Sequence, residues 1–278
     1  MTATALGTRV DWSAARAAVA KAGPRFSALI RAAQKPDAPA LGAWDVTEVA
    51  QHVSHAADVV HAMTQGGGNL LEDIWDMPNL TRVMVAGEGH RPLGEIADRL
   101  DESLARLLAA LETAEKAGED ASRVWIVAGT QLPMSSLTCH ILNELTVHGW
   151  DIARAEGVPW PIERSHAAMI VDGFIYPSLN ALGRAMVSDA GASKRARFQV
   201  RLRGTDSTSW LRFANGDFSV ENSPQGPVDV HLSVDPEAYL LVAWARISQW
   251  PAIGKGKMLA WGRKPWLGLQ LRSWLRNP

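Results

Sequence analysis

The feature that most restricts what this chain can fold into is a single change of hydrophobic period about two-thirds of the way along it. From Trp12 to about Asp189, apolar residues recur at helical spacing among Ala, Leu, Arg and Glu, and chain breakers gather in short clusters. After the polar stretch VSDAGASKRAR, residues 187–197, the text turns strand-like: RFQVRLRG, SWLRFA, DFSVEN and VDVHLSV alternate or carry β-branched residues. Helices first and strands afterwards predict an α+β protein, a helical bundle followed by a smaller α/β domain. The polar stretch sets the expected boundary, with the bundle over 1–190 and the α/β domain over 191–278.

Four long helices are expected in the first part. One runs from about Ser13 to Gln34; a second is capped by Asp45, with Glu48 closing a capping box, and stops near Gln65 to Gly68. The third starts after Pro92 and reaches about Gly118, and the fourth runs from near Pro133 to Gly157, ahead of Pro159-Trp160-Pro161. Residues 69–90 are expected to be a long irregular connection, and residues 162–188 a further helix. In the second part Asn215-Gly216 predicts a hairpin turn, with helices from Pro236 to about Ile247 and after Pro265.

Charge and cysteine usage narrow the function classes. The 28 basic and 29 acidic residues leave no global field for nucleic acid or an anionic membrane, so small-molecule partners are expected. The opening MTATALGTRVDW lacks a signal-peptide pattern and no apolar run reaches spanning length, which predicts a cytoplasmic protein without stable membrane insertion. A lone cysteine, Cys139, excludes an internal disulfide framework and a zinc site built from several thiolates. Clustered carboxylates for two metals, a nucleotide-binding Gly-rich motif and HExxH are all missing.

Against this background the polar residues of two helices are misplaced. On the fourth helix Leu137, Ile141, Leu145 and Ile152 form an apolar stripe, and Glu144 and His148 fall within it. Asn143, Thr146, Trp150 and Arg154 take the opposite, solvated side. On the second helix Val49, Val53, Ala56, Val60 and Met63 form the stripe, with His52 on its margin and His55 further round. A buried carboxylate without a partner costs many kcal/mol in the idealised limit, so it takes up a proton or finds a cation. The i, i+4 spacing stacks Glu144 and His148 on adjacent turns, and His52 can reach them from a facing helix. Two imidazoles and one carboxylate are a known zinc set that leaves a coordination position open, although nickel, iron or manganese also suit it. Taken singly, His55, His61 and His140 read as ordinary rim or core histidines; His140, one turn before Glu144, is the reserve ligand.

The two stretches that carry these residues, GAWDVTEVAQHVSHAADVV and NELTVHGWDIARAEG, resemble the ligand helices of the DinB-like, mycothiol-dependent maleylpyruvate isomerase and mycothiol S-transferase family. The resemblance covers roughly residues 12–185. The tail VDVHLSVDPEAYLLVAWARISQWPAIGKGKMLAWGRKPWLGLQL resembles a sterol-carrier-protein-like domain, which commonly follows that bundle. The resemblance implies a DinB-like four-helix bundle with His52, Glu144 and His148 as metal ligands, Zn2+ or another divalent ion as cofactor, and mycothiol, the thiol of actinobacteria, as co-substrate. It implies an S-transferase or a maleylpyruvate-type cis/trans isomerase acting on a small electrophile. Bringing a thiol from a pKa near 8.5 to below neutrality takes about 2 kcal/mol, which a divalent ion supplies.

Arg82 in the connection is a candidate clamp for a carboxylate of thiol or substrate, and His55 and His140 are further candidates for thiol or substrate binding. A C-terminal arginine near the substrate is also implied; Arg201, Arg203 and Arg212 stay open for that role. Cys139 falls nearly opposite Ile141 and His148, so the nucleophilic thiol is expected to come from outside the chain. The alternative function is a non-enzymatic lipid or apolar small-molecule binder using the C-terminal domain, because six basic residues, no acidic one and four tryptophans follow Gln249. Leu267, Leu271, Trp274 and Leu275, however, are spaced to pack one face onto a sheet. A third reading is a stress-induced metal protein without thiol chemistry.

Overall fold

A computed structural model describes residues 10–67, 71–119 and 130–276, together with the backbone of 123–127. It is an α+β structure of two compact units, residues 10–162 and the chain from residue 163 onward.

The first unit is a bundle built on α1 (Trp12–Ala32), α2 (Val46–Thr64), α4 (Leu93–Lys116) and the consecutive pair α5 (Met134–Asn143) and α6 (Gly149–Glu156). Its helix starts follow local chemistry. Asp11 accepts hydrogen bonds from the Ser13 and Ala14 amides at the head of α1, and the expected Asp45–Glu48 capping box is present at the head of α2. Gly67 donates back to the Ala62 carbonyl where α2 ends, while Gly68 lies outside the described residues. The core consists of Phe26 and Ile30 from α1, Val49 and Val53 from α2, Leu100, Leu107 and Leu111 from α4, and Leu137, Ile141 and Leu145. Each such fully buried side chain contributes about 1.5–3 kcal/mol relative to exposure.

Three parts of this unit differ from expectation. Within the supposed irregular connection, Ile74–Asp76 forms a single 3-10 turn and α3 spans Met77–Glu88; residues 69 and 70 lie outside the described part. Pro78 sits in the first turn of α3, where its missing N–H costs nothing, and Val85 is the one buried residue of that helix. So narrow a buried face leaves almost no apolar period. Short strands β1 (Pro39–Leu41) and β2 (Trp44–Asp45) pair ahead of α2, and β3 (Arg123–Val127) pairs with β4 (Thr130–Pro133) ahead of α5.

The third difference concerns the fourth helix, which runs as expected from Pro133 to a left-handed Gly157 but carries a π-helical turn at Glu144–His148. Its far side is only partly solvated: Asn143 and Thr146 are buried and Trp150 is half-buried, while Arg154 is exposed. The segment after Gly157 folds back along the helix, so that the Trp160 indole N–H donates to the Thr146 carbonyl at 3.0 Å. Gly149 makes this possible, because a Cβ there would lie 2.2 Å from the Trp160 ring.

The second unit is a five-stranded sheet of β5 (Arg195–Leu202), β6 (Thr208–Ala214), β7 (Asp217–Glu221), β8 (Val230–Val234) and β9 (Met258–Trp261), in the order β7-β6-β5-β8-β9. The β5–β8 pair is parallel and the others antiparallel. Asn215 and Gly216 both have positive φ, 53° and 84°, as the tight β6–β7 hairpin requires. Helices α7 (Arg164–Ile170) and α8 (Tyr176–Leu182), joined by a second π turn at Val171–Ile175, belong to this unit. Ala168, Val171 and Tyr176 pack into the sheet's core beside Phe198, Phe213 and Trp274. Contacts therefore divide the chain before α7, ahead of the polar stretch near residue 190.

Beyond β8, α9 (Pro236–Ala243) stops short of Ile247, with Ala245 at φ 56°; α10 (Gln249–Gly254) and the edge strand β9 follow. The expected terminal helix is replaced by two 3-10 turns, Pro265–Leu269 and Leu271–Trp274. They still do the packing expected of it, with Leu271 and Trp274 buried and Leu267 and Leu275 half-buried against the core.

Candidate metal centre

The site is assembled from two directions. α2 presents His52, and the π turn between α5 and α6 is bounded by Glu144 and His148. Such π turns inserted in α-helices occur frequently at functional sites. Glu144 Oε2 lies 3.0 Å from His52 Nε2 and 3.2 Å from His148 Nε2. One ligand atom from each residue falls within 4.8 Å of the other two. A tetrahedral ion with bonds of about 2.0–2.1 Å has ligands roughly 3.3 Å apart, so the donor spacing suits such an ion. Glu144 and His148 are each 7% exposed.

A second layer holds these groups. His148 Nδ1–H donates to Asp151 Oδ2 at 3.0 Å, and Asp151 is 1% exposed. That bond leaves Nε2 as the atom turned to the cluster. Asn143 Nδ2 donates to the other carboxylate oxygen, Glu144 Oε1, at 3.1 Å, and His140 Nε2 lies 3.2 Å from that same oxygen. The Trp44 ring packs on His52 at 5.2 Å between centroids, and the His52 and His148 rings meet edge-on at 5.0 Å.

The electrostatics follow from crowding three imidazoles around one carboxylate. Burial alone would push Glu144 up, but hydrogen bonds from His140, His148 and His52 outweigh it and hold the carboxyl well below its usual range. For His148 burial acts downward, yet the Asp151 and Glu144 carboxylates prevail and hold it up at about 9. His52 is lowered, because burial there is only partly offset by Glu144. In the metal-free cluster the negative charge of Glu144 is thus balanced by a proton on His148, which a cation can replace.

His52, Glu144, His148 and His140 are brought together; Arg82 and His55 are placed elsewhere. Arg82 is exposed on α3 and donates to Asn79 Oδ1 at 2.9 Å. His55 is buried and turned to Glu88, at 3.1 Å, within an ion network in which Arg99 also joins Glu88 to Asp58. Of the C-terminal arginines, Arg203 donates to the Gly256 carbonyl. Asp151 and Asn143 escaped sequence reasoning; the signal for Asp151 was its i+3 position after His148. A second group of Asp37, Asp45 and His90 also gathers, but Asp37 and His90 are exposed and Asp45 is engaged in capping α2.

A helical bundle with two imidazoles and a carboxylate converging from two helices, followed by an α/β unit, defines a class of two-domain proteins whose bundle could hold a metal ion. Residues 16–153 match the family model described as the mycothiol maleylpyruvate isomerase N-terminal domain. Residues 16–153 of the chain belong to that domain family. Among solved structures it is similar to the crystal structure of a mycothiol-dependent maleylpyruvate isomerase, with a TM-score of 0.55 and 13% identity over 87% of this chain and 93% of that one. A crystal structure of a histidine-to-alanine mutant of such an isomerase aligns with a TM-score of 0.53 and 12% identity over 92% and 95% of the two chains. These likenesses show a shared fold across both units. Comparison with curated proteins finds no significant match.

Proposed function

We propose that this protein is a metal-dependent enzyme that uses a low-molecular-weight thiol, mycothiol, to isomerise a small conjugated electrophile of the maleylpyruvate type. The observation that carries this reading is the placement of Glu144 Oε2 against the Nε2 atoms of both His52 and His148 in a buried setting. Family membership and the whole-chain likeness to a mycothiol-dependent maleylpyruvate isomerase support it.

A divalent ion, for which zinc is the best match to two nitrogens and one oxygen, would when bound supply the Lewis acidity that keeps a thiol ionised near neutral pH. The chain's own residues prepare that chemistry. Asp151 fixes the tautomer and ring plane of His148, Asn143 and His140 hold the second oxygen of Glu144, and Trp44 shields one face of His52. Cys139 is fully buried and lies outside the ligand cluster, so the nucleophile is a thiol brought in from solution. The thiolate adds to one carbon of the conjugated double bond, forming a C–S bond and sending the electron pair into the adjoining carbonyl. Rotation about the resulting single bond and expulsion of the thiolate return the trans alkene, with no net consumption of thiol or proton. S-transfer begins with the same thiolate and differs in expelling a leaving group from the electrophile.

The carrier reading is disfavoured by the inner face of the sheet, where Phe198, Phe213, Phe218 and Trp274 pack edge to face with centroids 4.9–6.0 Å apart. The direct test follows maleylpyruvate absorbance with purified protein in the presence and absence of mycothiol. Turnover that requires the thiol and is lost in His148→Ala is expected; turnover indifferent to both would overturn the proposal.

A further inference from the structure

The described residues include seven large hydrophobic side chains that are substantially exposed, and five of them fall between Trp250 and Leu269: Trp250, Leu259, Trp261, Trp266 and Leu269. The three tryptophans are 60%, 50% and 56% exposed. They sit on contiguous elements. β9 is the last strand of the sheet, and α10 and the Pro265–Leu269 turn both pack beside it. Gln249 Nε2 donates to the Leu269 carbonyl at 3.0 Å, tying the start of α10 to that turn. Trp261 and Leu259 pair in register with His231 and Ser233, on the face of the sheet opposite the buried Val230, Leu232 and Val234. Trp261 stacks on His231, with 5.6 Å between centroids and 16° between planes, which fixes the ring at the surface. While Leu271 and Trp274 anchor this part of the chain in the core, its other large apolar groups are presented outward.

Charge is segregated in the same stretch. Residues 250–278 carry six basic and no acidic side chains, a net +6; the chain as a whole is −1, so residues 1–249 carry 22 basic and 29 acidic groups, a net −7. Among the six, Lys257 is paired with Asp235 and Glu237, Lys264 with Asp229, and Arg272 donates to the Leu275 carbonyl. Lys255 and Arg263, both exposed, have no ion pair or side-chain hydrogen bond among the described residues; Lys255 lies between α10 and β9, and Arg263 two residues beyond Trp261.

We infer that this edge of the second unit is an adsorption surface for an anionic phospholipid bilayer. Exposed indoles suit the headgroup layer, and uncommitted cations beside them suit its negative potential. A second copy of the same edge would meet it with like charge. No helix among the described residues is long and apolar enough to cross a membrane, so the attachment is peripheral. It is independent of the metal site, and brings a soluble-substrate enzyme to a lipid surface without using its ligand residues.

The test is flotation of the full-length protein with phosphatidylcholine vesicles, with and without phosphatidylglycerol. Binding is expected only to the anionic vesicles and to fall with added salt. It should drop roughly 25-fold in Lys255→Gln/Arg263→Gln, at about a factor of five per cation, and vanish in Trp250→Ser/Trp261→Ser/Trp266→Ser. His148→Ala should bind vesicles as the unaltered protein does, which separates this inference from the thiol chemistry. No recovery with anionic vesicles, equal recovery with neutral ones, or unchanged binding in the variants would overturn it. So would self-association in sedimentation velocity that the tryptophan variant abolishes, which would make the edge a protein interface.

Discussion

His148 and Asp151 form a buried pair, Nδ1 to Oδ2 at 3.0 Å, one turn apart on the helix that carries two of the three candidate ligands. Glu144 occupies the other side of the same imidazole at 3.2 Å. A ring gripped at both nitrogens cannot swing, and the carboxylate behind it raises the basicity of the nitrogen in front.

Replacing Asp151 with Asn keeps the size of that support and removes its charge. Metal affinity is expected to fall by about 10–100-fold, the range typical for losing an outer-shell carboxylate. Competition titration against a chromophoric chelator measures it, with thermal unfolding of the metal-free variant to separate affinity from folding.

The proton on His148 sets the pH dependence of metal uptake. Because His148 is held up at about 9 in the metal-free protein, a cation must displace that proton at neutral pH. Apparent affinity should therefore rise about tenfold per pH unit as pH climbs toward that value, then level off. The stability contribution has the opposite trend. With the folded pKa above the ordinary 6.5, the charged imidazole stabilises the metal-free protein fully below 6.5, and the gain is lost as pH rises through about 9. Proton release on metal addition, measured by calorimetry in buffers of different ionisation enthalpy, checks the first part.

Gly149→Ala would press a methyl group into the Trp160 ring, which cannot easily yield because its N–H is bound to Thr146 and Arg25 stacks on its face at 3.7 Å. A loss of about 1–3 kcal/mol is expected. The double variant with Trp160→Ala should lose less than the sum of the two single changes, as denaturant unfolding would show.

Glu88 links α3 to its neighbours through Arg99 and His55. Burial pushes its carboxyl up, but hydrogen bonds from Arg99 and His55 bring it below 4.5. A depressed carboxyl stabilises the fold above 4.5, and that contribution is lost as pH falls through the folded pKa. Glu88→Gln should therefore lower stability at neutral pH and lose less than the unaltered protein on acidification, a difference that urea melts on either side of 4.5 resolve.

Much of this architecture was readable from local pattern, and the exceptions have identifiable causes. The Asp45–Glu48 box and the Asn215-Gly216 hairpin are encoded in a few adjacent residues, so they appear where the sequence places them. Glu144 and His148 stood out because an apolar stripe makes a polar intruder visible. The burial of Thr146 was not visible, since its carbonyl is met by Trp160 returning from beyond the helix end. Neither was the π turn, because spacing of i, i+4 reads the same in either helical geometry. α3 buries little beyond Val85, and β9 exposes Leu259 and Trp261, so neither element shows the alternation by which buried helices and strands are recognised.

The central claim is that Glu144 is compensated by a divalent ion shared with His52 and His148. Elemental analysis of the purified protein and of Glu144→Gln tests it most directly. One divalent ion per chain in the first and a small fraction of that in the second is the predicted result; a metal-free protein that takes up none on dialysis against zinc, or equal content in both, would contradict it.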